Sequence, residues 1–340
     1  MRIPRSNELD FLRLILATSV VFQHASLAGV NTYMPWVERI PAVPVFILLS
    51  GLLVTESYQN SPLLIIYIKK RLRRILPGYI AVVLLGGVIL WTIGAILSLP
   101  GAGSPKELAY YYFYNLSFLN FLHPCVFDSS VFNSSTFSEG MYCAVNGSLW
   151  TIKYELFFYL ILPCILFFLN RLSRLICFYA SLLLLVITIF PSTIYFQIFI
   201  CFLAGALLSV SKECWLPRLV KIKIPSILRV FLVLISGILI GGNLPLPFAA
   251  ITLISFSFLG TKNISRDLNF IKYGDLSYGI YLVHFPLIQI FIFLGIAPLI
   301  PDLLFSPMIT ALSGIFAILL YQHVERRFLL RSSYYNQQPR

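Results

Sequence analysis

The sequence predicts an all-α fold: a polytopic transmembrane helical bundle of about ten spans with both termini in the cytoplasm. Three observations predict it. The 340 residues are 59% hydrophobic and only 11% charged, against roughly 25% charged in soluble domains, and the mean hydropathy is +0.87. Apolar stretches of spanning length recur from end to end. The basic residues gather in alternate connections, as they do in cytoplasmic loops under the positive-inside rule.

Taken in order, the spans lie near residues 9–29, 40–59, 76–99, 148–170, 174–190, 193–210, 227–244, 246–260, 275–297 and 303–324. The first has full spanning length and no small-residue cleavage site, so it reads as a retained span rather than a signal peptide. The seventh and eighth are joined only by the tight turn GGNLPLP, and the eighth is short. Alternation from a cytoplasmic N-terminus puts Arg2, Arg5, the run KKRLRR at 69–74, Arg171, Arg174, the basic residues from Lys212 to Lys223 and from Lys262 to Lys272, and the Arg-rich tail on one side. Only Arg39 and Lys106 stay opposite. Topology therefore accounts for the net charge of +12, and no nucleic-acid partner is expected.

Residues 1–340 read as a single membrane domain. The one long connection, 100–147, falls on the outer side, and its aromatic stretch YYYFYNLSFLNFL is too short to cross at ~1.5 Å per residue. It is expected to lie at the interface or to re-enter. Cys125 and Cys143 share this exported loop, where an oxidising compartment permits a disulfide. The absence of a P-loop, a CxxC pair or an internal repeat removes support for an ATP-driven pump or a metal-sulfur site.

The first span carries Arg13 and His24 within ELDFLRLILATSVVFQHASLAG. Charged groups in hydrocarbon are costly and are kept for chemistry or transport. Eleven positions at ~100° come to about 1100°, which puts both side chains within roughly 20° of one stripe and ~16 Å apart in depth. One wall then presents both to a shared interior. Snorkelling, or a pair with Asp10, is the plain alternative for Arg13, and a backbone hydrogen bond is the plain alternative for His24.

Glu155, in NGSLWTIKYELFFYLILP, comes out at a depth similar to that of His24, both in the outer part of the membrane. A carboxylate that orients an imidazole supports a His acting as general base on a hydroxyl. Arg71 and Arg74 share one helix face at i and i+3; they suit either anionic lipid or the phosphates of a cytoplasmic donor. Trp150, Tyr154 and Tyr159 form an interfacial belt or a stacking surface for a sugar or lipid. His284 lies near mid-membrane with Tyr278 and Tyr281 below it, and helix–helix hydrogen bonding is its plain role. Glu325 reads as a partner for nearby arginines. A zinc site built from His24, His284, His323 and Glu155 lacks local ligand spacing and is not expected.

Together these blocks resemble acyltransferase family 3, the integral membrane O-acyltransferases of bacteria that decorate lipopolysaccharide O-antigen, exopolysaccharide, peptidoglycan and other acceptors. Arg13 to His24 matches the family's R/K-x10-H signature. VFILLSGLLV at 45–54 is similar to its FFxxSGxL block, Arg71 and Arg74 to its RxxR, NGSLWTIKYELFFYLILP to its W-S/T-x-x-x-E-x-x-F-Y segment, and LSYGIYLVHFPL to its SYGxYLxHxP stretch. Pro44 stands where many members have Asp, and Arg326 where Pro is common.

The resemblance implies His24 as base or acyl relay supported by Arg13 and Glu155, with Arg71 and Arg74 on the donor's phosphates. It assigns Trp150, Tyr154, Tyr278 and His284 to the acceptor side. It also implies acetyl-CoA as acyl donor, no metal, a lipid-linked glycan acceptor, membrane lipids as surroundings, a multi-pass place in the bacterial inner membrane, and no appended SGNH-type hydrolase domain. The competing readings are a longer or charged acyl donor, another acceptor such as exopolysaccharide, peptidoglycan or a small molecule, and a secondary transporter or flippase.

Overall fold

A computed structural model describes residues 7–29, 37, 40–61, 63–96, 104–122, 144–190, 192–222, 228 and 275–329. Every regular element among them is helical: α1 (Asn7–Leu27), α2 (Ala42–Gln59), α3 (Leu64–Ile96), α4 (Pro105–Leu116), a 3-10 turn (Gly147–Leu149) running into α5 (Trp150–Leu169), α6 (Arg174–Ile187), α7 (Ile194–Val210), α8 (Lys212–Lys221), α9 (Leu276–Phe293), a 3-10 turn (Ala297–Leu299), α10 (Asp302–Leu320), a π turn (Tyr321–Glu325) and α11 (Arg326–Phe328). The seventh and eighth expected spans, Cys125, Cys143, the basic N-terminal residues and the tail past 329 lie outside the described residues.

Four segments among the described residues are long and apolar enough to cross a membrane: Ala42–Gln59, Leu64–Ile89, Gly147–Leu169 and Asp302–Phe328. A fifth arises if Ile194–Val210 and Lys212–Leu219, which meet at 77°, form one broken span. Arg174–Ile187 and Leu276–Ile292 are shorter apolar helices. The expected tally of ten is not reached on this measure. α1 falls outside it because Asp10, Arg13, Gln23 and His24 interrupt its apolar run. Large apolar side chains such as Leu160, 62% exposed, and Phe168, 64% exposed, cover the outer faces, as a lipid-facing surface requires.

The basic run at 69–74 is helical, as its i, i+3 reading required. It lies in the second and third turns of α3, which starts before the expected span at 76 and continues unbroken through Pro77. The aromatic stretch after Pro105 forms the twelve-residue α4, about 18 Å long at ~1.5 Å per residue and so too short to cross. Pro105 opens it, where a missing N–H costs nothing.

Helix starts carry their own signals. Ser173 and Thr193 accept from the backbone N–H of Ile176 and Phe196 at 3.2 and 3.4 Å, capping α6 and α7. Small residues then let helices close on one another. A Cβ on Gly51 or Gly205 would overlap backbone of the facing helix, Phe202 in one case and Leu48 in the other; α2 and α7 therefore touch backbone to backbone. Gly279 gives α9 the same close approach to Ala317 of α10. Beside the first contact Phe158 stacks on Phe202 with centroids 4.3 Å apart. Glu56 at the end of α2 pairs with Lys212 at the start of α8.

Two internal prolines leave a carbonyl without its helical donor, and each orphan is taken by a distant side chain. Pro163 removes the N–H that would serve Tyr159, whose carbonyl accepts from the Tyr67 hydroxyl at 3.1 Å. Pro286 does the same to Leu282, whose carbonyl accepts from Asn146 Nδ2 at 2.8 Å. Asn146 also accepts from Ser148 N and Oγ, so the start of the 146–151 segment is fixed on α9. The Tyr281 hydroxyl completes the seam, donating to Ser148 O at 2.5 Å with Thr151 Oγ1 2.6 Å away.

Candidate active site

Five helices enclose a cavity, and each supplies it with polar groups. α1 gives Arg13, α2 gives Ser50, and α3 gives Arg71 and Arg74. α5 gives Thr151, Glu155 and Tyr159, and α9 gives Ser277, Tyr278 and Tyr281. Val43, Phe46, Leu49 and Leu53 of α2 form an apolar wall.

Spacing on α3 decides which cations face inward. Residues three apart share a helix face, so Arg71 and Arg74 line the cavity while Lys69, Leu72 and Arg73 are exposed. Arg71 is only 9% exposed, and its guanidinium lies 5.7 Å from the centroid of the Tyr159 ring, a cation–π distance. This orientation disfavours lipid anchoring by Arg71 and Arg74, since headgroups need the charge outside. Tyr159 donates to Glu155 Oε1 one turn earlier on α5.

Asp275 organises the cations. Its Oδ2 lies 2.8 Å from Arg13 Nη2 and also pairs with Arg74, while its Oδ1 accepts from Ser277 Oγ at 2.6 Å and from Tyr278 N at 3.4 Å. One carboxylate thus caps α9 and bridges α1 to α3. Three guanidiniums line the cavity beside Glu155, and Asp275 pairs with two of them. Such a site suits phosphate or carboxylate, which guanidinium forks match in geometry.

Further along α1, the His24 and His284 rings meet. His24 Nδ1 is 2.7 Å from His284 Nε2, with centroids 5.0 Å apart and planes within 3°. That combination describes two coplanar rings meeting nitrogen to nitrogen rather than face to face. The other nitrogen of His284 lies 3.0 Å from the Ile280 carbonyl, which can only accept. His284 Nδ1 therefore carries a proton, and its neutral ring offers Nε2 as acceptor. His24 in turn donates from Nδ1, so its Nε2 keeps a lone pair. The Phe285 ring stands edge-on to His24 at 5.1 Å.

The sequence-predicted residues thus fall into three groups. Arg13, Arg71, Arg74, Glu155, Tyr278 and Tyr281 share the cavity, with the Tyr278 hydroxyl donating to Ile75 O at 2.8 Å. His24 and His284 form a separate pair, although the sequence placed them at different depths. Tyr281 links the two groups, since it lines the cavity and stands 5.9 Å from His284. Trp150 and Tyr154 lie in a third place, an aromatic cluster with Tyr195 at centroid distances of 5.7–5.9 Å.

One sequence expectation is corrected. Glu155 does not support His24; it bonds Tyr159 and faces the arginines. Depth counted along two helices says nothing of how each is rotated, and rotation decides the partner. Glu325 lies within electrostatic reach of Arg74, the kind of partner its sequence position suggested, without a direct ion-pair contact among the described residues. It is 5% exposed, and a Cβ at Gly78 would lie 2.8 Å from its Oε1. Asp275 was missed altogether. The available signal was an acid in the N-cap position of D-L-S-Y, where a side chain that binds backbone N–H groups is held in place.

Residues 6–322 match a family described as "Acyltransferase domain". The chain is 27% identical over 348 residues to the "O-acetyl transferase" of Shigella phage Sf6, an alignment covering 97% of this chain and 98% of that protein. It is 32% identical over 178 residues to "Nodulation protein 10" of Rhizobium leguminosarum bv. viciae, covering 49% of this chain and 46% of that protein. No solved structure matches it.

Proposed function

Since the chain belongs to the acyltransferase family that residues 6–322 match, we propose that this membrane protein moves an acetyl group from cytoplasmic acetyl-CoA to a sugar hydroxyl of a cell-surface polysaccharide, with lipopolysaccharide O-antigen as the acceptor. The observation that carries the proposal is the disposition of polar groups along α1. Arg13 sits in a cavity with two further arginines, and His24, with a free Nε2, lies ~16 Å further along the same helix.

The arginine cavity is the donor end in this reading. Arg13, Arg71 and Arg74 hold the phosphates of the donor, and the distance to His24 suits a carrier whose phosphates and thioester are separated by a long arm. His24 Nε2 takes the proton of the acceptor hydroxyl as that oxygen attacks the acyl carbonyl. The C–O ester bond forms, the C–S bond breaks, and His24 returns the proton to the departing sulfur. Glu155 and Tyr159 position Arg71 beside the donor. Trp150 and Tyr154, with Tyr195, offer aromatic faces to the glycan, and Tyr281 stands between the donor cavity and the histidine pair.

Topology supports the arrangement. Arg13 meets Asp275 and His24 meets His284, so α1 and α9 run parallel. Parallel spans need an even number of crossings from one to the next in register, as the first and ninth of ten spans have, with both termini cytoplasmic. The arginines then lie toward the cytoplasm, where acetyl-CoA is made, and His24 toward the outer face. A multi-pass place in the bacterial inner membrane is part of the same proposal, since the donor would then be reached from the cytoplasm and the glycan from outside.

The test uses purified protein in proteoliposomes with acetyl-labelled acetyl-CoA and a lipid-linked glycan. Label appearing as an ester on the glycan supports the proposal. Movement of a solute with no thioester cleavage overturns it in favour of a transporter. Glycan NMR from matched cells with and without the gene identifies the acylated sugar.

A further inference from the structure

We infer that His284 is a positioning residue that sets the tautomer and the ring orientation of His24, rather than a contact to the acceptor. The inference rests on the proposal that His24 is the base.

The geometry supplies the argument. His284 is fully buried, and both of its ring nitrogens are engaged, Nδ1 by the Ile280 carbonyl at 3.0 Å and Nε2 by His24 at 2.7 Å. No polar atom of the side chain is left for a sugar. A carbonyl at one end of the chain of contacts fixes every proton along it: Ile280 accepts from His284, His284 accepts from His24, and His24 is left with its lone pair on Nε2. A single proton lies between the rings, so two positive charges never face each other there.

The fold holds this relay at both ends. Asp275 and His284 are nine positions apart on one helix, and Arg13 and His24 are eleven apart on the other. The Arg13 ion pair and the histidine contact therefore clamp parallel helices at two levels. Pro286, two residues beyond His284, frees the Leu282 carbonyl that Asn146 occupies, and this fixes the 146–151 segment beside the same stretch of α9. Phe285 closes the side of the His24 ring at 5.1 Å. An imidazole that orients a second imidazole through its Nδ1–H takes the part that a carboxylate or carbonyl takes behind many catalytic or metal-bound histidines.

The test compares His24→Ala, His284→Leu and His284→Gln in proteoliposomes with labelled acetyl-CoA and lipid-linked glycan, together with 15N spectra of histidine-labelled protein. His284→Leu is expected to lower kcat by about 10–100-fold, the usual range for a lost supporting partner, with KM for acetyl-CoA changed less than about twofold. Gln places an amide oxygen near the position of Nε2 and is expected to recover at least half of that loss on a logarithmic scale. In the spectra, the Nδ1-protonated form of His24 dominates in wild type and gives way to a tautomer mixture in His284→Leu. Full activity of His284→Leu beside an inactive His24→Ala overturns the inference and leaves the base in place. Equal losses in Leu and Gln, with an unchanged His24 tautomer, overturn it in favour of packing. An active His24→Ala overturns the underlying proposal instead, and the spectra then judge the relay separately.

Discussion

Arg13 on α1 and Asp275 at the start of α9 form an ion pair of 2.8 Å, and the same carboxylate oxygen holds Arg74 of α3. Three helices distant in sequence are thereby joined at one oxygen, and both arginines line the same cavity.

Removing that carboxylate takes an ion-pair partner from two largely buried guanidiniums. Asp275→Asn is expected to lower the stability of the detergent-solubilised protein by about 3–5 kcal/mol, the cost of breaking a buried pair from one side. Adding Arg13→Gln to it is expected to cost less than the sum of the two single changes. A double-mutant cycle from reversible unfolding in mixed micelles checks both statements; strict additivity contradicts the ion pair.

Arg71 and Arg74 differ from lysine in the planar fork they present. Arg71→Lys and Arg74→Lys keep the charge and are expected to raise KM for acetyl-CoA by about tenfold each, corresponding to about 1.4 kcal/mol of donor binding. Steady-state transfer kinetics check this. Arg73→Lys, on the exposed face, is expected to leave KM unchanged.

The Asn146 amide serves a carbonyl that Pro286 orphans. Asn146→Ala is expected to destabilise the protein by about 1–3 kcal/mol, the desolvation cost of an unsatisfied buried carbonyl. Pro286→Ala restores a backbone N–H to that carbonyl, so the double variant is expected to be more stable than Asn146→Ala alone. Thermal unfolding of the four proteins in one detergent gives the answer.

Gly205 has no room for a side chain against the Leu48 carbonyl. Gly205→Ala is expected to cost about 1–3 kcal/mol through overpacking and to lower the midpoint of thermal unfolding, whereas Gly314, with nothing within 4 Å of a Cβ, is expected to accept Ala without loss.

The parts of this site that follow from periodicity were legible in the sequence. Arg13 and His24 on one stripe, and Arg71 and Arg74 on one face, need only the angle per residue. Pairing between helices was not. Glu155 was matched to His24 by depth, yet His284 is the partner, because helix rotation is set by packing such as the Gly51 and Gly205 contact and leaves no trace in local spacing. Asp275 stood at the expected start of the ninth span, but its partners on α1 and α3 are more than 200 positions away and leave no sign in local spacing. The link from Asn146 to Leu282 spans 136 positions, and only the proline at one end of it is visible in sequence. The spans near 227–260 and the cysteine pair of the outer loop lie outside the described residues.

His24 is proposed as the base for transfer of an acetyl group to a sugar hydroxyl. The most direct measurement is the initial rate of label transfer from acetyl-CoA to lipid-linked glycan by purified wild type and His24→Ala at equal folded amounts, with donor binding measured alongside. His24→Ala is expected to bind donor within about twofold of wild type and to transfer at least 100-fold more slowly, the scale of a lost general base. Transfer at the wild-type rate by His24→Ala contradicts it.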